Sequence, residues 1–196
     1  MRNEVNCGVT KNVNRMLAMA KGQFVKTIAS DDAMATAAIG EMAGFLMDNP
    51  KVDVVVANGV KVPEEQRYPN FQSNEKIYVK APDFSAEGFF ERVARRNEIS
   101  APAAMVRMSV YEKYGFYDEN VKVEDYEFWL RVLQNGKTRF GFLNEDLLYY
   151  RINANSMTSL SANAGLARRR KLIFQSEMDT LIKYKDYLKK AVYAQI

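Results

Sequence analysis

Between Thr10 and Ala57 the hydrophobic pattern changes period repeatedly, and this alternation is the feature that most constrains the fold. Val13, Leu17 and Ala20 lie near helical spacing behind Thr10, a residue type that caps helix starts, and Gly22 supplies a stop, so a helix is expected to end near Lys21. Phe24–Ala29 then reads as a short, mostly buried strand that ends at the polar cluster Ser30-Asp31-Asp32. Ala35–Asp48 returns to helical spacing through Ile39, Met42, Ala43, Leu46 and Met47, with Asn49-Pro50 as its stop, and Val52–Ala57 is a second apolar strand. Helix, strand, helix, strand implies right-handed α/β winding, and hence a Rossmann-like, mostly parallel sheet with flanking helices.

Beyond this unit the sequence from Pro63 to Pro82 is polar, aromatic and proline-bearing, which predicts a long surface excursion of the kind that forms substrate loops. Further helices are expected over Ser85–Arg96, Val110–Tyr114 and Val123–Leu133, stopped in the last two cases by Gly115 and by Asn135-Gly136. Ala103–Val106, Thr138–Leu143 and Leu147–Ile152 read as strands. Ala164–Val192 places Leu172, Met178, Leu181, Ile182, Leu188 and Val192 along one side of a long C-terminal helix. With 196 residues, 47% of them hydrophobic, the chain is long enough for a sizeable core, and one domain is the default.

Several function classes are disfavoured at this stage. A net charge of +4 is far from the concentrated positive field that nucleic-acid binding needs. The single cysteine, Cys7, cannot form an internal disulfide, which points to a reducing cytoplasm. No run approaches the roughly 20 apolar residues of a membrane-spanning helix. The absence of histidine removes the usual general base and the commonest zinc ligand, so acid-base chemistry falls to carboxylates, Tyr, Lys or Cys7.

Two acidic sites stand out. Ser30-Asp31-Asp32 follows a strand, where adjacent carboxylates can hold a hard divalent cation against phosphate oxygens, but where they equally serve to cap the next helix. Glu124-Asp125 opens an apolar-aromatic helix, and one of the two can point into a cleft as a base or simply stabilise the helix start. Trp129 could stack on a ligand ring or belong to the core. The basic runs Arg168–Lys171 and Lys183–Lys190 suit either the solvated face of a docked helix or peripheral contact with an anionic membrane.

Taken together, these segments resemble family 2 glycosyltransferases in order and spacing. Asn6-Cys7-Gly8-Val9-Thr10, Asn14, Ala20-Lys21-Gly22-Gln23-Phe24 and Ser30-Asp31-Asp32 resemble the stretch leading into that family's metal-binding acidic motif. Tyr114–Glu119, Glu124–Arg131 and Tyr149–Asn153 resemble its acceptor half. The resemblance implies a GT-A fold and an inverting transfer from a nucleotide sugar to a saccharide or lipid-linked acceptor, as in polysaccharide assembly. It further implies that Ser30, Asp31 and Asp32 bind the donor, with Asp31 and Asp32 on a divalent metal (Mn or Mg) and Asp125 as general base. Glu124, Trp129 and Arg131 would then contact the acceptor. Residues 1–160 would form a truncated GT-A domain and residues 161–196 a helical extension.

The chain departs from the family at Ala29 and Asn153, where the motifs commonly carry Asp and His, and it begins after the segment that usually cradles the nucleotide base. Turnover by this chain alone is therefore expected to be low. The Phe24–Ala29 strand should present an open edge, which predicts self-association or a partner that covers it. The alternative is a non-catalytic fragment acting as a binding or assembly module. A doubly wound phosphate-binding protein would need a glycine-rich loop at a helix start, and the sequence has none.

Overall fold

The run Val54–Pro63 forms β3, the long central strand of the computed structural model, which describes residues 3–84, 88–153 and 164–193, the last helix with its side chains over 171–188. Val54 and Val56 project into one buried cluster while Val55 and Ala57 project into another, so the strand's period of two divides the core into two layers. Ala38, Met42 and Leu46 of helix α2 (Ala38–Asp48) close the layer over Val55 and Ala57. The opposite layer is larger and aromatic, and Phe128, Trp129 and Leu130 of helix α5 (Glu124–Leu133) fill its centre. Each such fully buried side chain contributes ~1.5–3 kcal/mol of transfer free energy, so this layer dominates the stability of the fold.

The sheet has five strands in the order β1 (Phe24–Lys26), β4 (Ala104–Arg107), β3, β5 (Phe140–Ile152), β2 (Ala33–Met34). It keeps the α/β class, but the expected mostly parallel pairing is corrected: only β3 and β5 pair in parallel, and the other three pairings are antiparallel. The alternation up to residue 57 does orient β1 and β3 alike. What it could not show is that β4, which begins only at Ala104, inserts between them, running opposite to both. The strands expected at 138–143 and 147–152 are the two halves of β5, interrupted by a shift of register opposite Asn58. There Asn58 Nδ2 donates to Asn144 Oδ1 (3.2 Å), and Gly59 approaches Leu148 so closely that a Cβ would lie 2.4 Å from its carbonyl oxygen. Only glycine fits that position.

The helices fall close to the expected positions, with different caps. Helix α1 (Val9–Met19) starts from Gly8 at φ 82° with no side-chain cap, so Thr10 lies inside the helix. The first residues expected in the helix from Ser85, 85–87, lie outside the described residues, and the observed helix α3 is Phe89–Arg95. Helix α4 is Met108–Tyr114.

The long helix α6 (Ala164–Tyr193) docks on α5 through a buried charge. Glu127, with no exposure, accepts from Lys183 Nζ (2.7 Å), Tyr184 Oη (2.8 Å) and Arg131 Nη2 (3.0 Å). Burial alone would raise its pKa, but Lys183, Tyr184 and Arg131 together hold it below the usual value. Among the described residues no helix is long and apolar enough to cross a membrane. Of the basic run at 168–171, Arg168, Arg169 and Arg170 lie outside the described side chains.

Candidate active site

The residues that follow β1 line a cavity of about 1080 Å³, and the start of α5 lines it too. Thr27, Ile28 and Ala29 share this lining with Glu124 and Asp125, although about a hundred residues separate them in sequence. The segment Asn97–Pro102, which leads through a 3-10 turn into β4, also lines it.

Asp125 is the most perturbed acid in this cavity. Its carboxyl is half-buried and raised to about 6, first by burial and then by the neighbouring charge of Glu124. Two donors orient it: the Tyr126 N–H reaches Oδ1 (2.7 Å), and Asn97 Nδ2 lies 3.4 Å from Oδ2. Asn97 is in turn fixed by the Ile99 N–H, which donates to its Oδ1 (3.3 Å), and the same segment is tied down where the Ser100 N–H donates to Tyr78 Oη (2.8 Å). A carboxylate held in this way, with its pKa close to neutral pH, is suited to take a proton. The helix-start reading of Glu124-Asp125 is also visible, since both lie in the first turn of α5, but the cap position is Val123.

The acidic turn at 30–32 is arranged differently. No helix starts there: β2 follows at once, and α2 begins only at Ala38, so neither Asp is a cap. Asp32 turns inward, where its Oδ1 accepts the Arg151 N–H (2.9 Å) and its Oδ2 is buried without a hydrogen-bond partner. Burial raises its carboxyl, against which the Arg151 N–H and the charge of Lys26 work. Arg151 locks the turn, donating from Nε to Asp31 O (2.7 Å) and from Nη1 to Glu64 O (2.9 Å) and Gln66 O (2.6 Å). The long excursion from Pro63 is thereby fastened beside the acids. Asp31 is exposed, and like Ser30 and Asp32 it stands outside the cavity lining, just past Ala29.

A divalent cation shared by Asp31 and Asp32 does not suit this arrangement, because Asp32 spends one oxygen on Arg151 and buries the other. Asp31 alone presents a free carboxylate, which fits an ion of the kind held by one carboxylate plus phosphate oxygens and water. No cluster of three or more potential metal-ligating side chains occurs among the described residues.

Two expected acceptor contacts are corrected. Trp129 is 1% exposed and packs edge-on against Phe128 (5.2 Å) and Phe140 (5.8 Å), so it belongs to the core, because the side of α5 it occupies faces the sheet. Arg131 points to the turn after α4, donating to the carbonyls of Tyr114 and Phe116 as well as to Glu127. Glu124 does line the cavity. Residues not anticipated from the sequence are Asn97, Tyr78, Lys26 and Glu177, none of which carries a local pattern. Lys26 is lowered to about 8 by burial, against the opposing charge of Asp32, and donates to the carbonyls of Thr27 (2.8 Å) and Pro102.

The model of glycosyl transferase family 2 matches residues 1–115, more than half of the chain. An uncharacterized glycosyltransferase of Methanocaldococcus jannaschii is 22% identical over 152 residues, which are 78% of this chain and 50% of that protein. The crystal structure of S. aureus TarS residues 1–349 superposes with a TM-score of 0.57 at 17% identity, over 91% of this chain and 52% of that one. Its complex with UDP-GlcNAc gives 0.55 at 18% identity, over 85% and 46%. The chain thus spans about half the length of these relatives, and with TarS it shares a fold of the GT-A type.

Proposed function

Because this chain belongs to glycosyl transferase family 2, we propose that it transfers a sugar from a nucleotide-sugar donor to an acceptor hydroxyl with inversion, Asp125 acting as the base. The observation that carries the reading is the carboxyl of Asp125, raised to about 6, oriented by Tyr126 and Asn97, and lining one cavity with the residues that follow β1. In the transfer, the acceptor oxygen forms the new bond to the anomeric carbon as the bond from that carbon to the diphosphate breaks. Asp125 takes the acceptor proton, which sharpens the nucleophile only as it attacks. Glu124 beside it keeps the base from ionising too far below neutral pH. Asp31, at the exposed end of the acidic turn, would hold a Mg or Mn ion, which when bound supplies neutralising charge to the leaving diphosphate. Arg151 holds the turn so that Asp31 faces outward. A uridine diphosphate sugar is the first donor to try, since TarS was crystallised with UDP-GlcNAc and with UDP.

Product formation from a panel of nucleotide sugars including UDP-GlcNAc, with simple glycosides as acceptors, tests the proposal in the wild type and in Asp125→Asn. Transfer by the wild type that falls by a factor of ~10² or more in Asp125→Asn supports it; equal rates in the two proteins remove Asp125 from the reaction. A second reading, a non-catalytic binding or assembly module, draws on another observation. β1 stands at the edge of the sheet, and Val9, Met16 and Met19 of α1 are at least 60% exposed. Absence of product with every donor favours that module, with a second copy or another protein covering this edge.

A further inference from the structure

Part of the cavity lining comes from α6, a helix that lies wholly beyond the stretch matched by the family model. Ile173 and Glu177 line the cavity from that helix. Their position is fixed by a hydrogen bond from the segment that leads into α5: the Lys122 N–H donates to Ser176 Oγ at 2.8 Å. Glu177 adjoins Ser176, and Asp125 is three residues past Lys122, so this one bond ties together the two elements whose carboxylates line the cavity. One to two turns further along α6, Lys183 and Tyr184 grip Glu127 and keep the helix from sliding or rolling. Glu177 itself has no hydrogen-bond or ion-pair partner among the described residues, and it is half-buried, with burial raising its carboxyl. A partly desolvated carboxylate left unpaired in this way carries a cost that a ligand's hydroxyl groups can offset.

The distribution of charge limits which ligand fits. Among the half-buried charges that line the cavity, Glu124, Asp125 and Glu177 have no ion-pair partner among the described residues, whereas Lys61 and Arg92 are paired with Glu75 and Glu98, and the remaining cations Lys80, Arg96 and Lys122 are exposed. An acceptor whose reacting end carried a phosphate or carboxylate would meet like charge at the wall, while a polyhydroxylated, uncharged end would find hydrogen-bond acceptors there together with the apolar flank of Ile173.

We propose that α6 supplies the acceptor subsite: Glu177 accepts hydrogen bonds from hydroxyls next to the reacting one, Ile173 packs on the ring, and the acceptor end is therefore a neutral sugar. This rests on the transferase reading for its placement beside Asp125, but it is tested by binding alone. Titration of the full chain with p-nitrophenyl β-D-glucopyranoside and its N-acetylglucosaminide, followed by amide chemical shifts, is expected to perturb residues around Glu177 and Asp125 together. Glu177→Ala should weaken binding about tenfold and Ile173→Ala by a smaller factor, while Glu177→Gln, which keeps a carbonyl acceptor, should recover part of the loss. The thermal midpoint of Glu177→Ala, expected within a degree or two of wild type, separates contact from folding. Unchanged affinity in Glu177→Ala, shifts confined to other walls, or no binding of either glycoside to the wild type overturns the proposal. Loss of product in Asp125→Asn with unaltered glycoside binding leaves the two readings separately judged.

Discussion

Asp125→Asn should make the protein more stable at neutral pH while removing the base. A carboxyl moved from 3.8 in the unfolded chain to about 6 in the fold carries a penalty of ~3 kcal/mol once both states are ionised. Because the group is half-buried at a cavity wall, solvent reduces that figure to ~2 kcal/mol. The amide retains the contact with the Tyr126 N–H through its own oxygen, and the contact it spoils, to Asn97 at 3.4 Å, is long and weak. The net expectation is a gain of ~2 kcal/mol, or ~4–8 °C in thermal midpoint for a chain of this size. The sign follows from the direction of the shift. A raised folded pKa costs nothing below the unfolded value, and the cost grows as pH rises from about 4 to about 6. Urea unfolding of both proteins at about pH 7.5 and about pH 4 checks this: the difference should be present at the first and nearly absent at the second. A variant that is no more stable than wild type at about pH 7.5, or a difference that ignores pH, refutes the reasoning. The same ionisation predicts that kcat/KM rises with pH through about 6 in the wild type.

Glu127→Ala strands Lys183 and Arg131 beside a buried gap and should cost ~3–5 kcal/mol, read by chemical denaturation. The Glu127 contribution is present above the ordinary carboxyl value of 4.5 and is lost as pH falls through its lowered folded value, so the gap between wild type and variant should close on acidification. Gly59→Ala forces a methyl into the Leu148 carbonyl and should destabilise by ~3 kcal/mol or more, seen as loss of soluble folded protein. Trp129→Phe should leave glycoside affinity unchanged, whereas Trp129→Ala should cost ~3–5 kcal/mol of stability, as befits a core residue. Light scattering at rising concentration is expected to show association that Met16→Lys with Met19→Lys diminishes; a monomer throughout would leave the β1 edge without a partner.

What the sequence determined by itself is what local periodicity encodes. The two-residue period of Val54 to Ala57 and the helical spacing of Met42 and Leu46 specify which faces are buried, whatever the rest of the chain does. The family resemblance added the acidic motifs and their order. Only tertiary structure decided what each acid does. Asp31 and Asp32 are adjacent and chemically alike, yet Arg151, arriving 119 residues after Asp32, turns one inward and leaves the other exposed. Asp125 and Glu127 share a helix, yet the first faces a cavity and titrates near 6 while the second is enclosed by α6 and held low. The same holds for the sheet, where β4 inserts between β1 and β3 from a distant part of the chain. Periodicity reports which way a side chain points within its own element, whereas ionisation and strand order depend on neighbours brought in from far along the sequence.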